Sequence, residues 1–98
     1  GPEVVIDGEG GTLLPGLYEM HGHLGQNRAL LNLAAGVTSV RDMGNNNAVL
    51  DRLSAAIEAG TLSGPRITRA GFIEGRSPFN SNNGYLVGSE AEALEAVR

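Results

Sequence analysis

The sequence predicts an α/β fold built on parallel strands, and three observations predict it. β-branched runs alternate with amphipathic runs of helical spacing along most of the chain. The connections between them are short. The 15 glycines fall at the breaks between apolar runs rather than in one tract, so they read as turns. Such alternation implies parallel strands joined by helical crossovers. Three strands with their helices make an arc. That arc fits either the opening units of a (β/α)8 TIM-type barrel or a small open sheet. A full barrel takes roughly 250 residues, and this chain has 98.

Each element has its own signal. Residues 3–7 (EVVID) predict a short strand, "GEGG" at 8–11 breaks it, and 12–14 resume it before Pro15-Gly16 turns the chain. This is a hairpin over residues 3–15. Residues 17–21 predict a second, more buried strand. Residues 27–35 (NRALLNLAA) predict a helix with Leu30, Leu33 and Ala34 on one face, and Gly36 stands where a left-handed C-terminal cap belongs. VTSVRD, 37–42, is β-branched and predicts a strand. "GNNN" supplies a loop and an N-cap for a helix over 48–59, striped by Val49, Leu50, Leu53, Ala56 and Ile57 and stopped by Gly60. After Gly64-Pro65, residues 66–73 (RITRAGFI) predict another strand. A polar loop follows over 76–88. Ser89 to Glu92 form a capping box opening a last helix, with Ala91, Leu94 and Val97 on one face. That helix is still running at Arg98, and Gly1-Pro2 reads as a cleavage scar, so the chain is expected to be a piece cut from something longer.

Composition narrows the function. The net charge is −4 and there is no lysine. That argues against a nucleic-acid or anionic-membrane partner, since both need a basic face. Cysteine is absent, so no disulfide or thiolate site exists. "GEGG" is not a phosphate loop, because it lacks the Lys-Ser/Thr ending and opens no helix.

The chemistry gathers at "PGLYEMHGHLG", residues 15–25. The only two histidines of the chain, His21 and His23, stand two apart at the end of an apolar run. Alternate strand residues point the same way, about 6.5 Å apart, so both imidazoles can reach one cation. The C-terminal ends of strands are where α/β proteins build sites. His-x-His alone is weak, and is more often two unrelated loop histidines.

The wider context is more specific. Pro15-Gly16-Leu17-Tyr18-Glu19-Met20-His21-Gly22-His23 resembles the Pro-Gly-Leu-Ile-Asp-Met-His-Val-His that opens the barrel of the metal-dependent amidohydrolase superfamily. "AAGVTSVRDMG", 34–44, is similar to that family's first helix end and second strand. "GPRITRAGFIEG", 64–75, is similar to the third strand of its imidazolonepropionase- and dipeptidase-like branch. "VIDGEGGTLLPG" resembles the last hairpin of the small β-sandwich before the barrel. The resemblance implies that residues 3–15 end that sandwich and residues 16–98 begin an incomplete barrel.

It also implies a hydrolase of amide or other C–N bonds in a small molecule, a dipeptide-like one among the candidates. The reaction would run through water activated by a divalent metal, zinc first, with one or two ions in the complete enzyme. Only His21 and His23 carry over as metal ligands. The family's bridging lysine or glutamate, its later histidines and its proton-handling aspartate have no counterpart, so no catalytic residue is assigned and this chain alone is expected to be inactive.

Glu19 departs from the usual aspartate, and Gly22 from the usual valine. By parity Glu19 points with His21, and Arg41 on the next strand is its expected partner, either orienting the histidines or making a structural ion pair. Asp42 and Glu74, at strand ends, are the local candidates for a third ligand, although Asp42 reads more readily as a loop cap. Arg76, Phe79 and Tyr85 are candidate substrate contacts on the 76–88 loop. The rival expectation is an inert βα module that at most binds a divalent ion. Either way a homo-oligomer is expected, because three parallel strands leave two open edges.

Overall fold

The computed structural model describes residue 1, residues 3–81 and residues 83–98. Pro2, half of the pair read as a cleavage scar, and Asn82 of the polar loop lie outside the described residues.

The chain is a mixed α/β structure with eight elements: β1 (Leu17–Gly22), α1 (Gln26–Ala34), β2 (Val37–Asp42), α2 (Asn47–Glu58), β3 (Arg66–Arg69), β4 (Ile73–Gly75), β5 (Tyr85–Val87) and α3 (Glu90–Val97). β1, β2 and β3 form one open sheet in that order, parallel throughout. It does not close into a barrel, and β1 and β3 are its edges. α1 packs on β2 and α2 on β3.

Helix boundaries follow the residues that set them. Gly36 (φ 81°) and Gly60 (φ 71°) take the left-handed conformation that ends α1 and α2. The Asn46 side chain accepts from Val49 N at 3.3 Å and caps α2. The α2 stripe is the main core contribution: Leu50 and Leu53 are buried, joined by Val40, Leu24 and Ala29. The stripe expected on α1 is displaced by one residue. Ala29 is buried and Leu33 half-buried, whereas Leu30 is exposed. A Cβ on Gly64 would lie 3.1 Å from the Ala29 Cβ. Only a small side chain permits that close approach, so alanine rather than leucine faces inward.

Four expectations are corrected. The hairpin over residues 3–15 has its turn but not its ladder. Glu9 (φ 47°) and Gly10 (φ 80°) are both left-handed, and Gly11 N donates to Gly8 O at 2.7 Å, as in a two-residue hairpin turn. The arms carry no strand pairing, and Val4, Ile6 and Leu13 are at least 84% exposed. An isolated two-stranded hairpin is marginal in water without a surface to pack on. The strand expected over 66–73 is split into β3 and β4, and the expected loop over 76–88 contains β5. Phe72 is the reason. Its ring lies against Gly44, where a Cβ would come within 2.7 Å, and its carbonyl accepts from Tyr85 N at 2.8 Å. The chain leaves β2 there, and β4 pairs in parallel with β5 instead. On α3 the expected face of Ala91, Leu94 and Val97 is exposed, and Ala93 and Ala96 are the half-buried residues.

The capping box of α3 forms one residue out of step. Ser89 Oγ accepts from Glu92 N at 3.2 Å, but Glu92 Oε2 accepts from Gly88 N, at 2.6 Å. That bond, and behind it the Arg76 guanidinium, hold the Glu92 carboxyl below the usual carboxylate range. A lowered folded pKa means stabilisation that is present above the unfolded value and lost as pH falls through the folded one. The first turn of α3 should therefore hold at neutral pH and loosen in acid, below the ordinary carboxylate range. Gly88 and Glu92 amide shifts followed by NMR against pH check this. Glu92→Gln should remove the transition, and a transition that survives in that variant would assign it elsewhere.

Candidate metal centre

The site is built at the C-terminal end of β1. The β1–β2 register runs Glu19↔Val40 and then Gly22↔Asp42, three residues against two. One extra residue is therefore accommodated at Met20–His21, a β-bulge that re-aims the side chains beyond it. Gly22 is required where the strand closes again. A Cβ there would lie 2.8 Å from Cγ1 of the buried Val40 and 3.4 Å from Glu19 Cγ, which explains glycine at a position flanked by two functional candidates.

His21 and His23 come together as expected. Their rings meet edge to face at 72°, with centroids 5.3 Å apart. A tetrahedral zinc with N-bonds of ~2.0–2.1 Å would hold two imidazole centroids roughly 5 Å apart, so the observed spacing suits a shared ion. His23 Nδ1 lies 2.7 Å from Gly44 O. A carbonyl only accepts, so Nδ1 carries the proton and Nε2 keeps its lone pair for a ligand, the usual arrangement of a metal-binding histidine. Both rings open onto a cleft of ≈ 240 Å³ lined also by Glu19, Leu24, Arg28, Asn32 and Val40.

The other candidates are placed differently. Glu19 faces the same cleft, but its Oε1 accepts from His21 N at 2.9 Å, so it braces the bulge. The Glu19–Arg41 pair does not form. Glu19 is level with Val40, so Arg41, the next residue on β2, points to the opposite face, and its Nε donates to Met20 O at 2.7 Å. Among the described residues the ion pairs are Arg69–Asp51, Arg76–Glu92 and Arg98–Glu95. Asp42 is fully buried and its oxygens are taken up by loop donors. Glu74 Oε2 accepts from Ser81 N at 2.8 Å. Neither lines the histidine cleft, and among the described residues no three His, Cys, Asp or Glu side chains come together around a possible ion.

The loop candidates Arg76, Phe79 and Tyr85 do not line the histidine cleft. Arg76 is structural: its backbone N–H donates to Val87 O at 2.8 Å and Nη2 donates to Leu86 O at 3.2 Å. Tyr85 borders a separate hollow beside Asn46 and Asn47 at the start of α2, and Phe79 is 95% exposed. Sequence reasoning missed Arg28 and Asn32, one turn apart on α1, which wall the cleft. Their i, i+4 spacing just after His-x-His was the available signal.

Comparisons with family models, curated proteins and solved structures return no match for this chain. No helix among the described residues is long and apolar enough to cross a membrane.

Proposed function

We propose that this chain carries the first metal-ligand strand of a metal-dependent hydrolase of the amidohydrolase type, built on the opening units of a (β/α)8 barrel and acting on an amide or other C–N bond of a small molecule. The observation that carries the reading is the paired His21 and His23 rings 5.3 Å apart, with His23 Nδ1 committed to Gly44 O. His21 and His23 would hold a divalent ion, zinc before others given two imidazole donors. A bound ion of this kind lowers the pKa of its water toward ~7 and polarises a carbonyl. Glu19 keeps His21 in place through the strand backbone. Arg28, across the cleft, offers a cation to a carboxylate, which suits a dipeptide-like or other acidic small molecule. The missing third ligand separates binding from turnover: these residues bind an ion, and hydrolysis needs ligands that they do not supply.

Calorimetric titration with zinc tests this. The wild-type chain should bind zinc weakly, because two imidazoles leave the ion mostly hydrated. His21→Ala should abolish the heat with the circular dichroism unchanged. Equal heats for the two proteins would remove the site.

A further inference from the structure

Asp42 is the last residue of β2 and is 0% exposed, yet it binds nothing on its own strand. Its Oδ2 accepts from Leu24 N at 2.7 Å and from Asn45 Nδ2 at 3.0 Å, and its Oδ1 accepts from Gly44 N at 3.1 Å. All three donors belong to the two loops that meet at His23. The same loops also hold that residue and its two chain neighbours. Met43 N donates to Gly22 O at 2.9 Å, Asn45 Nδ2 donates to Leu24 O at 2.7 Å, and Gly44 O receives the His23 ring. The residue before His23, the residue after it and its own imidazole are therefore held by the segment that one buried carboxylate organises.

A loop cap alone would need only the Gly44 N–H, two residues on, the local turn that aspartate commonly makes. The bond to Leu24 N reaches across to β1 and is the part that a local cap does not explain. We propose that Asp42 is the positioning residue of His23: by holding Leu24 N and Gly44 N together it sets the Gly44 carbonyl against Nδ1, fixes the imidazole in its Nδ1–H tautomer, and presents Nε2 to a divalent cation. The metal half of this rests on the function proposed above. The tautomer half does not.

The experiment uses the full chain with Asp42→Asn, which keeps shape but replaces one accepting oxygen by a donor. Long-range ¹H–¹⁵N NMR of the histidine rings without metal reports the tautomer, and calorimetric titration with zinc reports binding. In the wild type His23 should be Nδ1–H. In Asp42→Asn His23 should become a tautomer mixture while the His21 ring is little changed, and zinc affinity should fall ~10–100-fold, the range for losing an outer partner of a ligand. If the wild type shows the Nδ1–H tautomer but takes up no zinc, the metal reading fails and the positioning of His23 stands. An unchanged His23 tautomer in Asp42→Asn overturns the proposal, whatever the zinc titration gives. Should Asp42→Asn lose its folded circular dichroism, Asp42→Ala is read in its place. It removes the bonds from Leu24 N, Gly44 N and Asn45 Nδ2 without burying a new donor, and the same tautomer shift is expected. A His23 ring unaltered in that folded variant equally overturns the proposal.

Discussion

Leu50→Ala should cost about 2–5 kcal/mol, the usual range for truncating a fully buried leucine. Leu50 has no exposed surface and sits mid-stripe on α2, where the helix meets the sheet. The buried hydrophobic core among the described residues is small, Leu24, Ala29, Val40, Leu50 and Leu53. A domain of this size has about 5–15 kcal/mol in all, so this one change removes a large part of it, and the melting temperature should fall by roughly 10 °C or more. Leu30→Ala is the control. That side chain is 61% exposed, and its loss should stay within about 0.5 kcal/mol. Equal effects of the two substitutions, in a denaturant melt, would mean that α1 and α2 do not face the sheet as described.

The isolated chain should associate with itself. Its accessible surface is 7506 Å², roughly 2,200 Å² above the ~5,300 Å² typical of a compact monomer of its mass. The radius of gyration, 17.8 Å, likewise exceeds the ~13 Å of a compact domain of this length. The surplus includes both faces of the β1 edge, with Leu17, Tyr18 and Met20 at 60%, 50% and 52% exposure, and the unladdered arms of the N-terminal turn. An excess of that size per chain matches what permanent complexes bury, and open strand edges supply the hydrogen bonds to direct it. Light scattering should return a mass above the 10.1 kDa of one chain. A single cooperative melt together with a monomer mass would show that these surfaces are content in water.

Much of the scaffold was legible because its signals are local. Gly36 and Gly60 end helices by their own φ, Asn46 and Ser89 cap by their own side chains, and the α2 stripe repeats within a single helix. The histidine pair was legible for the same reason, since His21 and His23 are separated by a single residue and their approach is local. What escaped depends on how separate segments align. The direction of Arg41 depends on the register irregularity at Leu17/Tyr18, where β2 runs from Val37 to Ser39 against consecutive β1 residues, and this cannot be counted from sequence. The part played by Asp42 depends on two loops arriving side by side, with Leu24 eighteen positions away. β5 escaped because a three-residue strand in a polar, Asn-rich stretch has no periodicity to read; it exists through Phe72 O and the pairing with β4. The hairpin was half legible: the turn chemistry is in the residues, but the ladder is not formed by them alone.

The bulge at Met20–His21 carries a lesson for redesign. A procedure that rewards an unbroken hydrogen-bond ladder would see the extra residue in β1 as a flaw and delete it. Side chains alternate with a period of two, so that deletion would turn everything beyond it to the other face. The sheet would become more regular and the cleft would lose its imidazoles. Ladder regularity and the histidine geometry thus pull this strand toward different lengths, and a well-meant stabilising edit is the change most apt to part the two rings.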